Sequence, residues 1–557
     1  MQIMSTTLAL AAVLALLFGG ASAPRPEPRH QAPAPLPTKP APAIPPGSLF
    51  ATADQCMACH NNLVSPSGRD ISIGHEWRSS MMANAARDPY WHAGVRREVL
   101  DHPEAAEAIQ HECSACHMPM MRYEAKANGR LGQVFAHLPI STTAGQPIES
   151  VLAADGVSCT VCHQAGKEKL GTKDSFNAGF VVDHTLAPGQ RRVFGPYLVD
   201  NGRTRVMRSA STFSPAEAAH IQSSEVCATC HTLFTHTLGP GGKVIGELPE
   251  QVPYLEWRHS AYVKEKSCQA CHMPVEPGDV AISSVVGQPR PYLARHEFRG
   301  GNFFMPMMLN RYRNELGVTA LAQELETTAR HAVETLETES ATLRIDRAGL
   351  NAGALTAVVA VENLTGHKLP TAYPSRRAWL HVTVRDGSGR TVFESGAFQP
   401  NGSIAGNDND ADATKFEPHY AEIRRTDQVQ VYEPIMVDQA GAVTTGLLHG
   451  FRYVKDNRLL PRGFDKATAD KDVAVHGEAA ADADFTGSGD RIRYVVDVGS
   501  AQGPFEVQAE LCYQSIGYRW AQNSRRDTAE GARFIGYYNS MASASSAVLA
   551  RTAATVR

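Results

Sequence analysis

Two textures of hydrophobic and polar positions divide the chain. After Arg344, the runs ALTAVVAVEN, AWLHVTVRDG, QVQVYEPIMV, RIRYVVDVG and FEVQAELCYQ alternate or cluster β-branched and aromatic residues between Gly, Asp and Asn turns. That is the pattern of strands buried on one or both faces. Several such strands over residues 344–539 predict an antiparallel, β-sandwich-like domain. The segment VTALAQELETTARHAVETLETESATL, residues 318–343, sets apolar residues at helical spacing on a charged background and predicts a long amphipathic helix. Upstream, over residues 49–317, neither period is sustained, so short helices and irregular chain are expected. The small-residue segment 540–557 is expected to be a frayed tail. Together these patterns read as an α+β chain of two or three domains, mostly helical and irregular first and sheet-rich second.

The N-terminus has its own logic. An apolar run from Leu8 to Phe18 leads to Gly-Gly-Ala-Ser-Ala, ending at Ala23. Residues 1–23 therefore read as a secretory signal, and export to the periplasm or cell surface of a bacterium is expected. Pro24 is a poor residue after a processing site, so cleavage after Ala21, or an uncleaved anchor, stays open as the one route to a membrane. Residues 24–48, rich in Pro and Ala, cannot build a core and read as a semi-rigid tether, with His30 solvated inside it. A formal charge of -4 gives no electrostatic case for nucleic acid or an anionic membrane surface.

Cysteine placement explains the missing periodicity. Ten of the eleven cysteines fall in five C-x-x-C-H motifs. These are Cys56, Cys59 and His60; Cys113, Cys116 and His117; Cys159, Cys162 and His163; Cys227, Cys230 and His231; and Cys268, Cys271 and His272. On a short helical turn, positions i, i+3 and i+4 share a face, so two thiols and an imidazole meet one ligand. The chemistry this serves is covalent haem attachment, with thioethers from the cysteines and an axial nitrogen from the histidine. Disulfide or zinc readings of C-x-x-C leave the histidines unexplained. Five haem c groups are therefore expected between residues 49 and 317, supplying apolar filling that the side chains lack. Cys512, on an apolar strand, reads as a buried free thiol.

The second axial position decides between carriage and catalysis. His220 precedes Cys227 by two helical turns and is a candidate ligand. His296, in RHEFRGGN, is another, beside glycines that admit a flat ring. His184 and His367 lie in Gly/Pro-rich loops and are further candidates, followed by His92, His137 and His111, while His331 reads as a surface residue. Asn407, Asp408, Asn409, Asp410 and Asp412 gather oxygens that suit calcium, against the alternative of a solvated acidic loop. Arg376 and Arg377 are candidates for a propionate or partner contact, or simply exposed cations at a strand start.

The stretches CSACHMPMM, DGVSCTVCHQ, SSEVCATCHTLFT, SCQACHMP and HEFRGGNFFM resemble the haem core of the tetrahaem-cytochrome and hydroxylamine-oxidoreductase superfamily. NLTGHKLPTAYPSRRAWLHVTVRD is similar to a C-terminal extension found in exported members. The resemblance implies closely spaced haems with mainly six-coordinate irons. It also implies a role for an internal repeat, Glu76-Trp77-Arg78-Ser79-Ser80-Met81-Met82 against Glu256-Trp257-Arg258-His259-Ser260-Ala261-Tyr262. Such members often end this pattern in a ligand histidine, which makes Met82 a candidate axial ligand and Tyr262 a packing residue or neighbour of an open iron. Departures from the family are clear: no motif ends in lysine, and no crosslinking tyrosine signature is present. The leading expectation is electron transfer between a membrane-linked donor and a periplasmic or extracellular acceptor, through redox partner proteins. The alternative is an oxidoreductase acting on a small nitrogen or sulfur compound at one open haem. A third has the β region docking a partner while the haems relay charge.

Overall fold

The computed structural model of the chain describes residues 48–141 and 145–557; the expected signal, the tether up to residue 47 and His30 lie outside them. The described residues fall in one compact unit, a mixed α+β structure. No helix among the described residues is long and apolar enough to cross a membrane.

Most of the strand-like runs become strands. Ala354–Asn363 lies between Ala341–Asn351 and Asp490–Asp497, and Glu422–Ile423 adds to the last of these in parallel. A second sheet runs Thr391–Ser395, Arg377–Arg385, Phe505–Gln514, Ser546–Val556, with Val431–Tyr432 also on Arg377–Arg385. Alternation sets the faces: Ile492, Tyr494 and Val496 are buried between the more exposed Arg491, Arg493 and Val495. Apolar residues of both sheets, among them Val359, Ile492, Leu380 and Leu511, share one hydrophobic cluster, which also takes in Phe303, Phe304 and Met308 from the preceding region. The amphipathic helix is observed as Ala322–Glu339, and its Leu325, Ala329, Ala332 and Leu336 are buried.

Two expectations are corrected. QVQVYEPIMV is not one strand: Val431–Tyr432 and Pro434–Val437 belong to different sheets. Between them the Glu433 N–H donates to Asn457 Oδ1 at 3.0 Å, and Pro434 has no N–H to continue a ladder. Residues 540–557 are not a frayed tail. Ser546–Val556 pairs along the whole of Phe505–Gln514, after a helix, Ala529–Met541, that buries Phe534, Ile535, Tyr538 and Met541. Small side chains hid this strand because an edge strand needs few large residues to hold a ladder. Deleting residues 546–557 is expected to unpair Phe505–Gln514 and sharply lower the yield of protease-resistant protein. An unchanged digestion pattern would show that the last strand is dispensable.

The region before residue 318 is built from short elements. The motifs sit at the helices Ala53–Met57, Ala106–His117, Cys159–Gln164, Ser224–Ala228 and Cys268–His272.

Candidate functional site

In three motifs the helix contains both cysteines and the histidine, as the spacing predicts. The first and fourth motifs depart from that expectation, because their helices end before the second cysteine. Cys59 lies two residues beyond the end of Ala53–Met57, and Cys230 two beyond Ser224–Ala228. The turn nevertheless continues in both. Cys59 N–H donates to the Cys56 carbonyl at 3.2 Å and His60 N–H to the same oxygen at 3.0 Å, while Cys230 and His231 N–H reach the Cys227 carbonyl at 3.3 and 2.9 Å. The Cys59 carbonyl has left the helical pattern altogether and accepts the Ser284 N–H at 2.8 Å and the Ser284 hydroxyl at 3.0 Å. That capture satisfies a carbonyl which the end of the helix leaves without an intrahelical partner. Each motif still presents its three functional side chains from one turn.

Four of the five motif histidines are oriented the same way. The ring Nδ1 of His60 donates to the Ile282 carbonyl at 2.6 Å, that of His117 to Ala85 at 2.9 Å and that of His163 to Phe194 at 2.6 Å. His272 Nδ1 donates to the Arg299 carbonyl. With the proton committed to Nδ1, Nε2 is a lone-pair donor aimed elsewhere, the arrangement that metal-ligating histidines adopt. Burial favours the neutral ring at His60, His117, His163 and His231. It pushes His117 and His231 down to about 4, and lowers His60 and His163 as well.

The motifs also touch one another. The thiol of Cys159 lies within hydrogen-bonding reach of Cys56, Cys116 of Cys230, and Cys227 of Cys268, and Cys162 feels the charge of Cys230. Five motifs spread over more than 200 residues of sequence therefore form one connected cluster. None of the eleven cysteines is in a disulfide, and Cys59 is half-buried like Cys56. Among the described residues, the one His/Cys/Asp/Glu set converging within 4.8 Å is His419, Asp482 and Asp490, with no motif residue in it. The zinc reading of the motifs therefore has no converging ligand set. Nor is that other set arranged as a metal site. His419 Nδ1 accepts from the amides of Gln430 and Asn457, so its proton sits on Nε2, facing Asp482 at 3.3 Å.

Two of the candidate distal histidines face motif histidines. The rings of His296 and His163 are 6.3 Å apart at 19°, and those of His367 and His272 are 6.2 Å apart at 14°. Two imidazole nitrogens each about 2.0 Å from one metal, on opposite sides, are about 4 Å apart, which puts the ring centres at about 6 Å. Both pairs fit a shared iron on this measure. His367 donates through Nδ1 to the Lys368 carbonyl at 2.9 Å, leaving Nε2 free. His296 has a buried Nδ1 without a partner. Burial and the neighbouring motif histidine push His296 down to about 3 and His367 down to about 4. The His296 ring also hydrogen-bonds the Ala294 backbone, so its orphan is the Nδ1 atom alone, and a buried polar atom without a partner is one that a bound group would account for. The chain's donor set therefore fits haem at these two positions.

The other candidates have different surroundings. His220 and Cys227 do not share a helix: a 3-10 turn, Ala219–Gln222, is separated from Ser224–Ala228 by Ser223 in an extended conformation. His220 Nε2 donates to the Ala165 carbonyl at 2.8 Å. His184 is exposed. Met82 is half-buried, with its carbonyl accepting from Val157 N–H. Tyr262 packs, as one of its two readings had it, and its hydroxyl donates to the Leu364 carbonyl at 2.7 Å. His92 is buried, bonded through Nε2 to Ala86 and with Nδ1 free. His111 accepts from Gly132 N–H, His137 bonds Ser150, and His331 lies 3.3 Å from Glu297.

The oxygen-rich loop is a solvated acidic loop only in part: Asp408 is exposed and Asp412 half-exposed, while Asn407, Asn409 and Asp410 are buried. Asp410 is buried and takes both Nη atoms of Arg377, at 2.7 and 2.9 Å, and the Ile404 N–H. Arg377 is correspondingly neither an exposed cation nor a partner contact. Cys512 is buried and free, as its strand position predicts.

No family model and no curated protein matches the chain. Among solved structures, it is similar to a penta-haem cytochrome c552 from Thermochromatium tepidum, with a TM-score of 0.49 and 15% identity, over 92% of this chain and 100% of that one.

Proposed function

We propose that this chain is a multihaem c-type cytochrome, exported to the periplasm or cell surface, that carries electrons between a membrane-linked donor and a periplasmic or extracellular acceptor. Five haems are held in turn by Cys56, Cys59 and His60, by Cys113, Cys116 and His117, by Cys159, Cys162 and His163, by Cys227, Cys230 and His231, and by Cys268, Cys271 and His272. His296 and His367 complete the irons of His163 and His272. The observation that carries this reading is the pair of near-parallel imidazole couples, each with a motif histidine as one member. When bound, haem supplies one-electron exchange at low reorganisation cost. The protein's own part is to bury the rings, commit Nδ1 protons to backbone carbonyls and bring the five motifs into one cluster. Its partners are redox proteins, and membrane contact is limited to an uncleaved N-terminal anchor.

Absorbance spectra of the oxidised and dithionite-reduced holo-protein, followed by carbon monoxide, test the reading. Irons closed by two side chains give no carbon monoxide shift, and a silent spectrum is the result expected of a carrier. A shift in about one haem in five would mean an open iron, and would favour an oxidoreductase of a small nitrogen or sulfur compound.

A further inference from the structure

The Glu-Trp-Arg repeat recurs at the two imidazole couples. In the first copy, on the helix Ile73–Arg78, Glu76 Oε2 accepts the backbone N–H of His296 at 2.8 Å. Its Oε1 accepts from Arg295 Nε at 2.6 Å, and both members of this ion pair are under 10% exposed. The next residue, Trp77, donates its indole N–H to the Val157 carbonyl at 2.9 Å. Val157 lies two residues before Cys159, the first cysteine of the motif whose His163 faces His296.

The second copy repeats this pattern on the helix Pro253–Arg258. Glu256 Oε2 accepts the backbone N–H of Lys368, the residue after His367, at 3.1 Å, and the Thr371 hydroxyl at 2.5 Å. Its Oε1 lies 2.9 Å from Arg458 Nη1, again with both partners buried. Trp257 donates its indole N–H to the Lys266 carbonyl at 2.9 Å. Lys266 lies two residues before Cys268, whose His272 faces His367.

We infer that Glu76-Trp77 and Glu256-Trp257 are positioning residues, each pair a clamp that sets the separation of one imidazole couple. The tryptophan ties down the segment entering the cysteine motif, and the adjacent glutamate ties down the loop bearing the opposing histidine. Both bonds start from consecutive residues of one short helix, so the distance between the two histidines is fixed through a single rigid element. Each glutamate is itself held by a buried arginine, Glu76 by Arg295 and Glu256 by Arg458, so the acceptor is fixed in place before it reaches the histidine-bearing loop. The inference rests on the reading of His296 and His367 as axial ligands.

Four alanine variants of the holo-protein separate the two ideas: H296A, H367A, E76A and E256A, each assayed for carbon monoxide binding after reduction and for high-spin electron paramagnetic resonance signal. Each histidine variant is expected to open about one haem in five. E76A is expected to open the same haem as H296A, and E256A the same haem as H367A. E76Q, which keeps an oxygen acceptor for the His296 N–H, is expected to stay closed. Histidine variants that open an iron beside glutamate variants that stay silent would overturn the clamp and leave the ligation standing. Silent histidine variants would overturn both. If the glutamate variants do not accumulate, W77F and W257F, which remove only the indole N–H, decide the matter. A new high-spin fraction in each supports the clamp, and unchanged low-spin spectra in both overturn it.

Discussion

Replacing Cys159 and Cys162 together by alanine is expected to remove one covalent haem and to collapse the region of short helices around it. The same double change at Cys268 and Cys271 is expected to remove one haem and leave a folded protein. The chemistry lost is identical, so the difference comes from place. Cys159 and Cys162 lie at the meeting point of the motifs, against Cys56 and near Cys230. Their helix buries Thr160, Val161 and Gln164. The helix Cys268–His272 buries none of its residues, and Cys271 is exposed. A vacated interior cannot be refilled by water without stranding apolar walls, whereas a vacated edge can. Pyridine haemochrome stoichiometry gives the haem count, and protease resistance together with circular dichroism gives the fold. Equal survival of the two double variants would mean that the central motif fills no more of the interior than the peripheral one.

Lys368→Met is expected to destabilise the protein by about 3–5 kcal/mol, the range for breaking one side of a buried ion pair. Lys368 is fully buried, with its Nζ 2.7 Å from Asp456 Oδ2, and Arg458 grips the same carboxylate at 2.8 Å through both Nε and Nη2. Removing the lysine leaves a buried carboxylate with half its compensation. The pH dependence follows in sign. Burial pushes the Asp456 carboxyl up, but the charges and hydrogen bonds of Arg458 and Lys368 outweigh it and hold the group well below the usual carboxylate range. A depressed folded-state pKa contributes stability that is present above the unfolded value of about 3.9 and is lost as pH falls through the folded value. Chemical denaturation at a series of pH values is therefore expected to show the wild type holding this increment to lower pH than Lys368→Met. Parallel curves for the two proteins would count against it. Because Lys368 follows His367, the same variant also tests whether this ion cluster supports the loop that carries His367.

Much of the candidate site was legible in the chain because a motif contained in one turn is local. The C-x-x-C-H spacing needs one helical turn and nothing else, so the five Cys-Cys-His sets could be named residue by residue as candidates. Even where the helix stops short of Cys59, the two N–H bonds to the Cys56 carbonyl preserve that turn. Strands such as Ala354–Asn363 and Phe505–Gln514 were legible for a similar reason: burial on a sheet imposes a period of two over a few residues. The edge strand Ser546–Val556 was not, since it is composed of small residues whose place depends on the ladder of Phe505–Gln514. His220 looked as well placed as His296 in sequence, and only a break at Ser223 separates its turn from the motif helix.

The Glu-Trp-Arg repeat is the clearest division between the two kinds of information. Its recurrence is visible in the sequence, but only the fold shows that Glu76 and Glu256, rather than the last positions Met82 and Tyr262, reach the loops bearing His296 and His367. By itself the sequence determined which side chains could hold haem and how many motifs there are, because those depend on neighbours one turn away. The opposing histidines were decided only by tertiary structure. His163 and His296 are 133 residues apart, and His272 and His367 are 95 apart. Pairing over such spans depends on which backbone amides a buried carboxylate captures, a choice made by packing and desolvation across the whole fold.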